Sequence, residues 1–272
     1  MHTSSKLGAA VAALLLTGAG CSVPGLPSGG GAGLTVEPVV INKTSTATNG
    51  GTCAVNINVP NIDSGRSSSD DLINSLMDVN TLVMLDGSVD QTLEEAADAW
   101  LADCISKITL PYESNSLSMQ HTVGIKEADL FSVSFTGSRQ FEDRGLIAAF
   151  GDLYNTKTGD EYELAELVKS GSMTEVYKLV FSGLLAQHKD MLAEDSLVDL
   201  EAVAKSGDAT QAEELLDTAS IDFFVTSEGI IFPFASEDFV PLEAGRLDVM
   251  IPWSSLDGLL EPGTALADWR NL

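Results

Sequence analysis

Residues 153–167, LYNTKTGDEYELAEL, mark the point where the sequence changes from strand-like to helix-like patterning. Before this point, Leu146–Tyr154 is a mostly apolar run that is typical of a strand. The polar segment that follows contains Gly159, a residue suited to a turn that needs a positive φ. From residue 161 to residue 217, apolar residues recur at the three- and four-residue spacing of helices. The stretch therefore introduces a helical segment in the second half of the chain.

Strand-like patterns lie on both sides of this helical segment. Before it lies a strand pattern at Ala54–Val59, which we expect to end at Pro60, and a hairpin pattern formed by His121–Ile125 and Leu130–Thr136. After it lies a second hairpin pattern, formed by Ile221–Thr226 and Ile230–Phe234, and a last strand pattern at Arg246–Ile251. Strands grouped at both ends of a chain are typical of α+β folds rather than of repeated βαβ units. We therefore predict an α+β fold in which N- and C-terminal strands form an antiparallel sheet, with a helical segment in between.

Two further helices are predicted in the first half. Ser67–Asp71 offers N-cap candidates and early acids for a helix that runs through residues 72–79. Leu93–Ile108 has apolar residues at helical spacing, acids at its start and Lys107 near its end, which complements the helix dipole. Cys104 lies on the apolar face of this second helix.

The N-terminal residues are typical of an export signal. Lys6 precedes the apolar run Leu7–Thr17, which is too short to span a bilayer of about 30 Å as a helix. The small residues that lead to Cys21 resemble a bacterial lipobox. We therefore predict that residues 1–20 are a lipoprotein signal peptide and that Cys21 carries the acyl chains, palmitate among them, that anchor the protein outside the cytoplasm to the bacterial cell membrane. The alternative is an ordinary secreted protein with a spare thiol.

The remaining cysteines form one pair. The chain has three Cys, so with Cys21 lipidated only Cys53 and Cys104 are left. Outside the cytoplasm a single pair predicts a disulfide, and the alternative is two buried free thiols. Residues 21–52 are rich in Gly, Pro, Ser, Thr and Asn, a composition that predicts a flexible tether between the lipid and the fold.

The charge of the chain limits its partners. It has 40 acidic and 14 basic residues and a net charge of −26. Binding to nucleic acid or to anionic lipid headgroups needs clustered Lys and Arg, so we expect neither partner. Because 44% of the residues are nevertheless apolar, the chain is expected to fold.

The acidic residues are densest in residues 190–217, which contain nine acids and one basic residue, Lys205. A solvated helix face is the simplest interpretation. The alternative is a docking surface for a cationic protein, because complementary charge speeds encounter and selects partners. The candidate residues of this acidic face are Glu194, Asp195, Asp199, Glu201, Glu213 and Glu214.

The sequence contains no recognisable catalytic or metal-binding pattern. His2, His121 and His188 are far apart along the chain, and neither Cys53 nor Cys104 belongs to a CxxC motif. We therefore predict no catalytic residue, no metal site and no cofactor. Loose calcium binding by surface acids and a hydrolytic activity remain as alternatives.

Three blocks of the second half resemble the C-terminal domain of RsiV-type proteins. They are residues 153–167, Phe223–Phe234, and the ending formed by Pro241–Gly245 and Val249–Trp253. The resemblance assigns residues 146–262 to such a domain.

The rest of the chain is divided around that domain. Residues 53–145 form an N-terminal α+β part that is more weakly similar to the domain preceding it in RsiV and in a peptidoglycan deacetylase. Residues 263–272 are a tail.

The resemblance implies a binding role. The extracytoplasmic part of RsiV binds lysozyme, but RsiV also has a membrane-spanning helix and a sigma-binding region, and the deacetylase has a catalytic domain. Because we find none of these in the sequence, we expect a stand-alone binding module on a lipid anchor. Its ligand is expected to be a cationic extracellular protein such as lysozyme, or a cell-wall component. The alternative is a structural or assembly factor that packs against another protein of the cell envelope.

Overall fold

A computed structural model describes residues 33–127, 129–141, 144–216, 221–235 and 239–270. The strands are β1 (Thr35–Thr46), β2 (Thr52–Asp63), β3 (Ser114–Lys126), β4 (Leu130–Phe141), β5 (Arg144–Asn155), β6 (Phe224–Val225), β7 (Gly229–Phe234) and β8 (Leu247–Pro252). The α-helices are α1 (Ser67–Met84), α2 (Leu93–Lys107), α3 (Leu164–Leu167), α4 (Met173–His188), α5 (Leu197–Ser206), α6 (Ala209–Leu216), α7 (Trp253–Leu256) and α8 (Ala265–Arg270). The predicted α+β class is confirmed, and none of the helices in these ranges has the length and apolar character needed to cross a membrane.

The first five strands form one sheet in the order β1-β2-β3-β4-β5. All neighbours are antiparallel except β2 and β3, which are parallel. Parallel neighbours need a crossover connection, and α1 and α2 supply it. The structure thus differs from the predicted arrangement in two respects: the strands divide into two sheets, and one pair is parallel.

The second sheet contains β6, β7 and β8, all antiparallel. Its first strand crosses the large sheet at two glycines. A Cβ atom at Gly124 of β3 would lie 2.0 Å from the carbonyl oxygen of Val225, and one at Gly151 of β5 would lie 2.9 Å from that of Phe223. Only glycine lets the backbone of β6 come this close to the large sheet.

β1 occupies part of the predicted tether. The prediction that residues 21–52 are a flexible tether is wrong for residues 35–46, because they pair with β2 from Thr35↔Asp63 to Thr46↔Thr52. β2 also continues past Pro60 to Asp63. Its pairing with β3 ends at Ile57, so the missing N–H of Pro60 removes no bond of that ladder.

α2 is fixed at its start and near its end. At the start, Thr92 and Glu95 form a capping box, in which the Glu95 backbone N–H donates to Thr92 Oγ1 at 3.2 Å and the Thr92 N–H donates to the Glu95 carboxylate at 2.9 Å. Near the end, Cys104 is joined to Cys53 of β2 with a Cα–Cα distance of 6.2 Å, so the predicted disulfide is confirmed. Both cysteines are buried in the core between the large sheet and α1 and α2.

The second core lies between the helical segment and the small sheet. It contains Tyr177, Phe181 and Leu184 of α4 together with apolar residues of β7 and β8. Gly183 brings α4 against β8, because a Cβ there would meet Val249 at 2.8 Å. The predicted helical segment is confirmed as α3 to α6, and it packs on the sheet that follows it in the chain.

Candidate functional site

The structure places the predicted acidic residues on two helices and the turn before them. Glu194 and Asp195 lie in a short 3-10 turn (Glu194–Ser196), Asp199 and Glu201 lie on α5, and Glu214 lies on α6; all five are exposed. The side chain of Glu213 lies outside the described part of the structure. So do residues 1–20 and Cys21, on which the predicted signal peptide and lipid attachment depend.

A tight turn brings α6 next to α5. α5 ends at Gly207, which has a φ of 65° and lies against α4, where a Cβ would be 2.1 Å from the carbonyl oxygen of Thr174. The next residue, Asp208, accepts the backbone N–H groups of Thr210 at 2.9 Å and Gln211 at 3.3 Å. A left-handed glycine followed by a capping aspartate ends one helix and starts the next within two residues.

Between α5 and α6 lies a cleft of about 360 Å³, which we call the α5–α6 cleft. Asp199 and Glu214 contribute the carboxylates of its walls, and Val203 and Leu215 contribute apolar surface. Two of the predicted acids thus meet in one cleft. Glu201 is engaged elsewhere, in an ion pair of 2.9 Å with Lys189.

The carboxylates of the α5–α6 cleft have no cationic partner within the described ranges. Neither Asp199 nor Glu214 takes part in any of the ion pairs found there. Next to Asp199, the side chain of Val198 is 74% exposed. The cleft therefore offers unpaired negative charge beside the accessible side chains of Ala202 and Leu215, which is complementary to a partner that presents Lys or Arg with apolar neighbours.

A buried carboxyl group that the sequence analysis missed lies where α1, β4, β5 and β6 meet. Asp152 of β5 is 6% exposed, and it accepts hydrogen bonds from the Tyr154 hydroxyl at 2.9 Å and from the Asn80 side chain at 3.4 Å. Burial, and then the charge of Glu161, raises the pKa of Asp152 to about 8. Burial, and then the charge of Asp152, also raises the pKa of Tyr154.

The surroundings of Asp152 indicate a structural group. Ser132 Oγ donates to the Asp152 backbone carbonyl at 3.0 Å and accepts the Val225 N–H at 2.7 Å, so it links β4, β5 and β6. Asp152 does not line the α5–α6 cleft. The only signal of this group in the sequence is an acid inside the apolar run 146–154. Strand periodicity alone does not show that both faces of this strand are covered, so it does not predict that the acid is buried.

The two histidines within the described ranges lie on different elements and hydrogen-bond to different backbone carbonyls. His121 on β3 hydrogen-bonds through Nδ1 to the Asn58 carbonyl at 2.9 Å. His188, at the end of α4, hydrogen-bonds through Nε2 to the Asp248 carbonyl at 3.0 Å. In the part of the chain that the structure describes, no three His, Cys, Asp or Glu side chains converge as metal ligands do.

Comparison with known proteins identifies structural relatives. No family model matches the sequence, and no curated protein matches it. A DUF3298-family protein from Bacteroides fragilis has a similar structure, with a TM-score of 0.62 and 14% sequence identity over 89% of this chain and 99% of that one. A DUF3298-family protein from Pseudomonas aeruginosa has a TM-score of 0.55 and 12% identity over 84% of this chain and 95% of that one. The chain therefore has the fold of these DUF3298 proteins.

Proposed function

We propose that this chain is a binding module without catalytic activity that takes up a cationic protein ligand, such as a lysozyme-like protein, at the α5–α6 cleft. The observation that carries the proposal is the pair of unpaired carboxylates, Asp199 and Glu214, facing one cleft beside apolar side chains. The net charge of −26 supports it, because the field of the whole protein attracts a cationic partner.

The fold supports the same proposal. The C-terminal domain of RsiV-type proteins is DUF3298-like, so the resemblance of residues 146–262 and the two structural relatives agree with each other. The α5–α6 cleft belongs to that region of the chain. A lysozyme ligand is inferred from the family resemblance, and the cleft supplies a surface of suitable charge for it.

The carboxylates and the apolar side chains of the α5–α6 cleft would contribute differently to binding. An exposed ion pair is worth only about 0.2–1 kcal/mol, so the carboxylates contribute to the encounter rate and to selectivity more than to affinity. Burial of the apolar surface that is still accessible at Ala202, Leu215 and Val198 would supply the rest of the affinity. We therefore expect association to slow at higher salt while dissociation changes little.

We further propose that Cys21 attaches the module by lipid to the outer side of the bacterial cell membrane. The tether would then end before Leu34, because Leu34 is buried in the core and β1 begins at Thr35. Metabolic labelling with a palmitate analogue tests the anchor in cells that express the protein or its Cys21→Ser variant. We expect label in the first and none in the second, and equal labelling of both would refute lipidation at Cys21.

The binding proposal is tested by biolayer interferometry of the purified protein with lysozyme at about 0.05 M and about 0.15 M ionic strength. We expect the Asp199→Asn/Glu214→Gln double variant to associate several-fold more slowly. The control is Glu228→Gln/Asp257→Asn, which removes the same charge from exposed residues elsewhere. Absence of a lysozyme complex at both salt concentrations contradicts the lysozyme ligand. Equal slowing in both double variants contradicts the α5–α6 cleft as its site. A separate pull-down from a detergent extract of the cell envelope tests the alternative, and capture of an integral membrane protein there would favour an envelope assembly factor.

A further inference from the structure

A second and larger groove lies in the first half of the fold, and we call it the β1–α1 groove. It has a volume of about 520 Å³ and runs between the edge of the large sheet at β1 and one face of α1. Asp71, Asp78, Val79 and Leu82 line it from α1, and Val39 lines it from β1. These α1 residues are spaced by seven, one and three positions, so they form a single stripe along the helix.

The walls of the β1–α1 groove are held in place. The Asn74 side chain accepts the Ile62 backbone N–H at 2.8 Å and donates to the Ile62 carbonyl at 3.0 Å, which joins α1 to the end of β2. Lys43 of β1 forms ion pairs with Glu94 and Asp98 of α2 at 2.5 Å and 2.7 Å. Contacts at both helices thus form the groove without a ligand, so binding to it needs little ordering of the protein.

The β1–α1 groove is lined by apolar and polar side chains in similar number, and it contains unpaired carboxyl groups. Val39 is 38% exposed, and Val89, in the loop before α2, is 72% exposed. Asp78 is half-buried, and this burial raises the pKa of its carboxyl group. Within the described ranges, neither Asp78 nor Asp71 has an ion pair or a side-chain hydrogen bond, since the basic residue of β1, Lys43, is already paired. A half-buried carboxylate without a partner gains most from an incoming cation.

The dimensions of the groove suit an extended peptide. At roughly 1.5 Å per helical residue, the stripe from Asp71 to Leu82 is about 16 Å long. An extended chain rises about 3.3 Å per residue, so about five residues fill this length. A second copy of this chain is a poor occupant, because its net charge of −26 would bring like charges together.

We propose that the β1–α1 groove binds an extended segment of about five residues from a partner protein, with apolar side chains against Val39 and Val89 and a Lys or Arg against Asp78. This proposal goes beyond the function proposed above. It concerns different elements of the fold and does not require the α5–α6 cleft to bind anything.

The test uses fluorescence anisotropy of a labelled, end-blocked peptide with the order Val-Leu-Lys-Leu-Val, added to the purified protein. We expect saturable binding that is about tenfold weaker in Asp78→Asn, the change that corresponds to about 1.4 kcal/mol. The matched control is Asp257→Asn, which removes one exposed charge far along the chain and should leave binding unchanged. A peptide with Glu in place of Lys should not bind.

A second measurement locates the peptide and covers the case in which a variant folds poorly. Hydrogen exchange of the unaltered protein should show slower exchange at residues 39–41 and 78–82 when the peptide is present. No saturable binding, equal weakening in Asp78→Asn and Asp257→Asn, or protection confined to other segments overturns the proposal. Because lysozyme binding is measured separately with the variants of Asp199 and Glu214, failure of either proposal is distinguishable from failure of the other.

Discussion

Replacement of the buried carboxyl group of Asp152 should change how stability depends on pH. In the folded protein this group accepts hydrogen bonds from Tyr154 and Asn80, and its pKa is raised from 3.8 to about 8 by burial and by Glu161. The folded state therefore holds a proton that the unfolded state releases at lower pH. A raised carboxyl pKa does not lower the free energy of unfolding below about pH 4. Above this pH it lowers the free energy of unfolding progressively, until about pH 8.

The size of this effect follows from the pKa of Asp152. One pKa unit corresponds to about 1.4 kcal/mol, so this group alone lowers the free energy of unfolding by at most about 4 kcal/mol between about pH 4 and about pH 7. Asp152→Asn retains an acceptor for the Tyr154 hydroxyl but cannot ionise. We therefore expect the variant to lose this part of the pH dependence and to gain stability relative to the unaltered protein as pH rises.

Urea unfolding followed by circular dichroism from about pH 4 to about pH 8 measures both proteins. The informative quantity is the difference between their free energies of unfolding at each pH, so a constant loss of packing in the variant does not affect the result. Asp160→Asn, at an exposed position close in sequence, serves as the control and should show a constant difference. A difference for Asp152→Asn that does not change with pH would refute the argument that this carboxyl is buried and protonated.

Three further changes test the packing of the fold by urea unfolding. Replacing Cys53 and Cys104 with Ala should lower the free energy of unfolding by about 4 kcal/mol, and a reductant should then have no further effect; an equal response of both proteins to reductant would contradict the disulfide. Gly124→Ala should lower the free energy of unfolding by about 3 kcal/mol, because the new methyl group would overlap the Val225 carbonyl. A decrease of less than about 1 kcal/mol would show that β6 can move away from the large sheet. Thr92→Ala removes the capping box of α2 and should cost about 1 kcal/mol, whereas an unchanged stability would show that the cap contributes nothing.

Local signals predicted local structure well. α2 was predicted at its observed start because Leu93 begins a regular apolar spacing, and its ends carry charges that suit the helix dipole. The disulfide followed from counting cysteines. The hairpin of β3 and β4 was predicted because two apolar strand patterns flank a short polar segment.

Long-range pairing could not be predicted in this way. The sequence of β1 has the composition of a tether because an exposed edge strand needs few apolar residues; of its twelve residues only Ile41 is buried. Pairing of β2 with β3 depends on residues separated by two helices, and no pattern within either strand indicates a parallel neighbour. For the candidate site, the acidic residues were evident from composition. Asp199 and Glu214 share a cleft only because the turn at Gly207 brings α6 next to α5. The β1–α1 groove exists only because β1 forms the edge of the large sheet.

The parallel pairing of β2 with β3 has a consequence for how the chain folds. The middle of the large sheet cannot close until the whole segment between these strands, including α1 and α2, has been brought back across it. Contacts between residues so far apart in sequence must overcome a large loss of chain entropy, and they slow folding. The bond between Cys53 and Cys104 closes most of that segment into a ring before the strands need to meet. We therefore expect the oxidised chain to refold faster than the reduced chain, because the bond shortens the loop that must close before β2 meets β3.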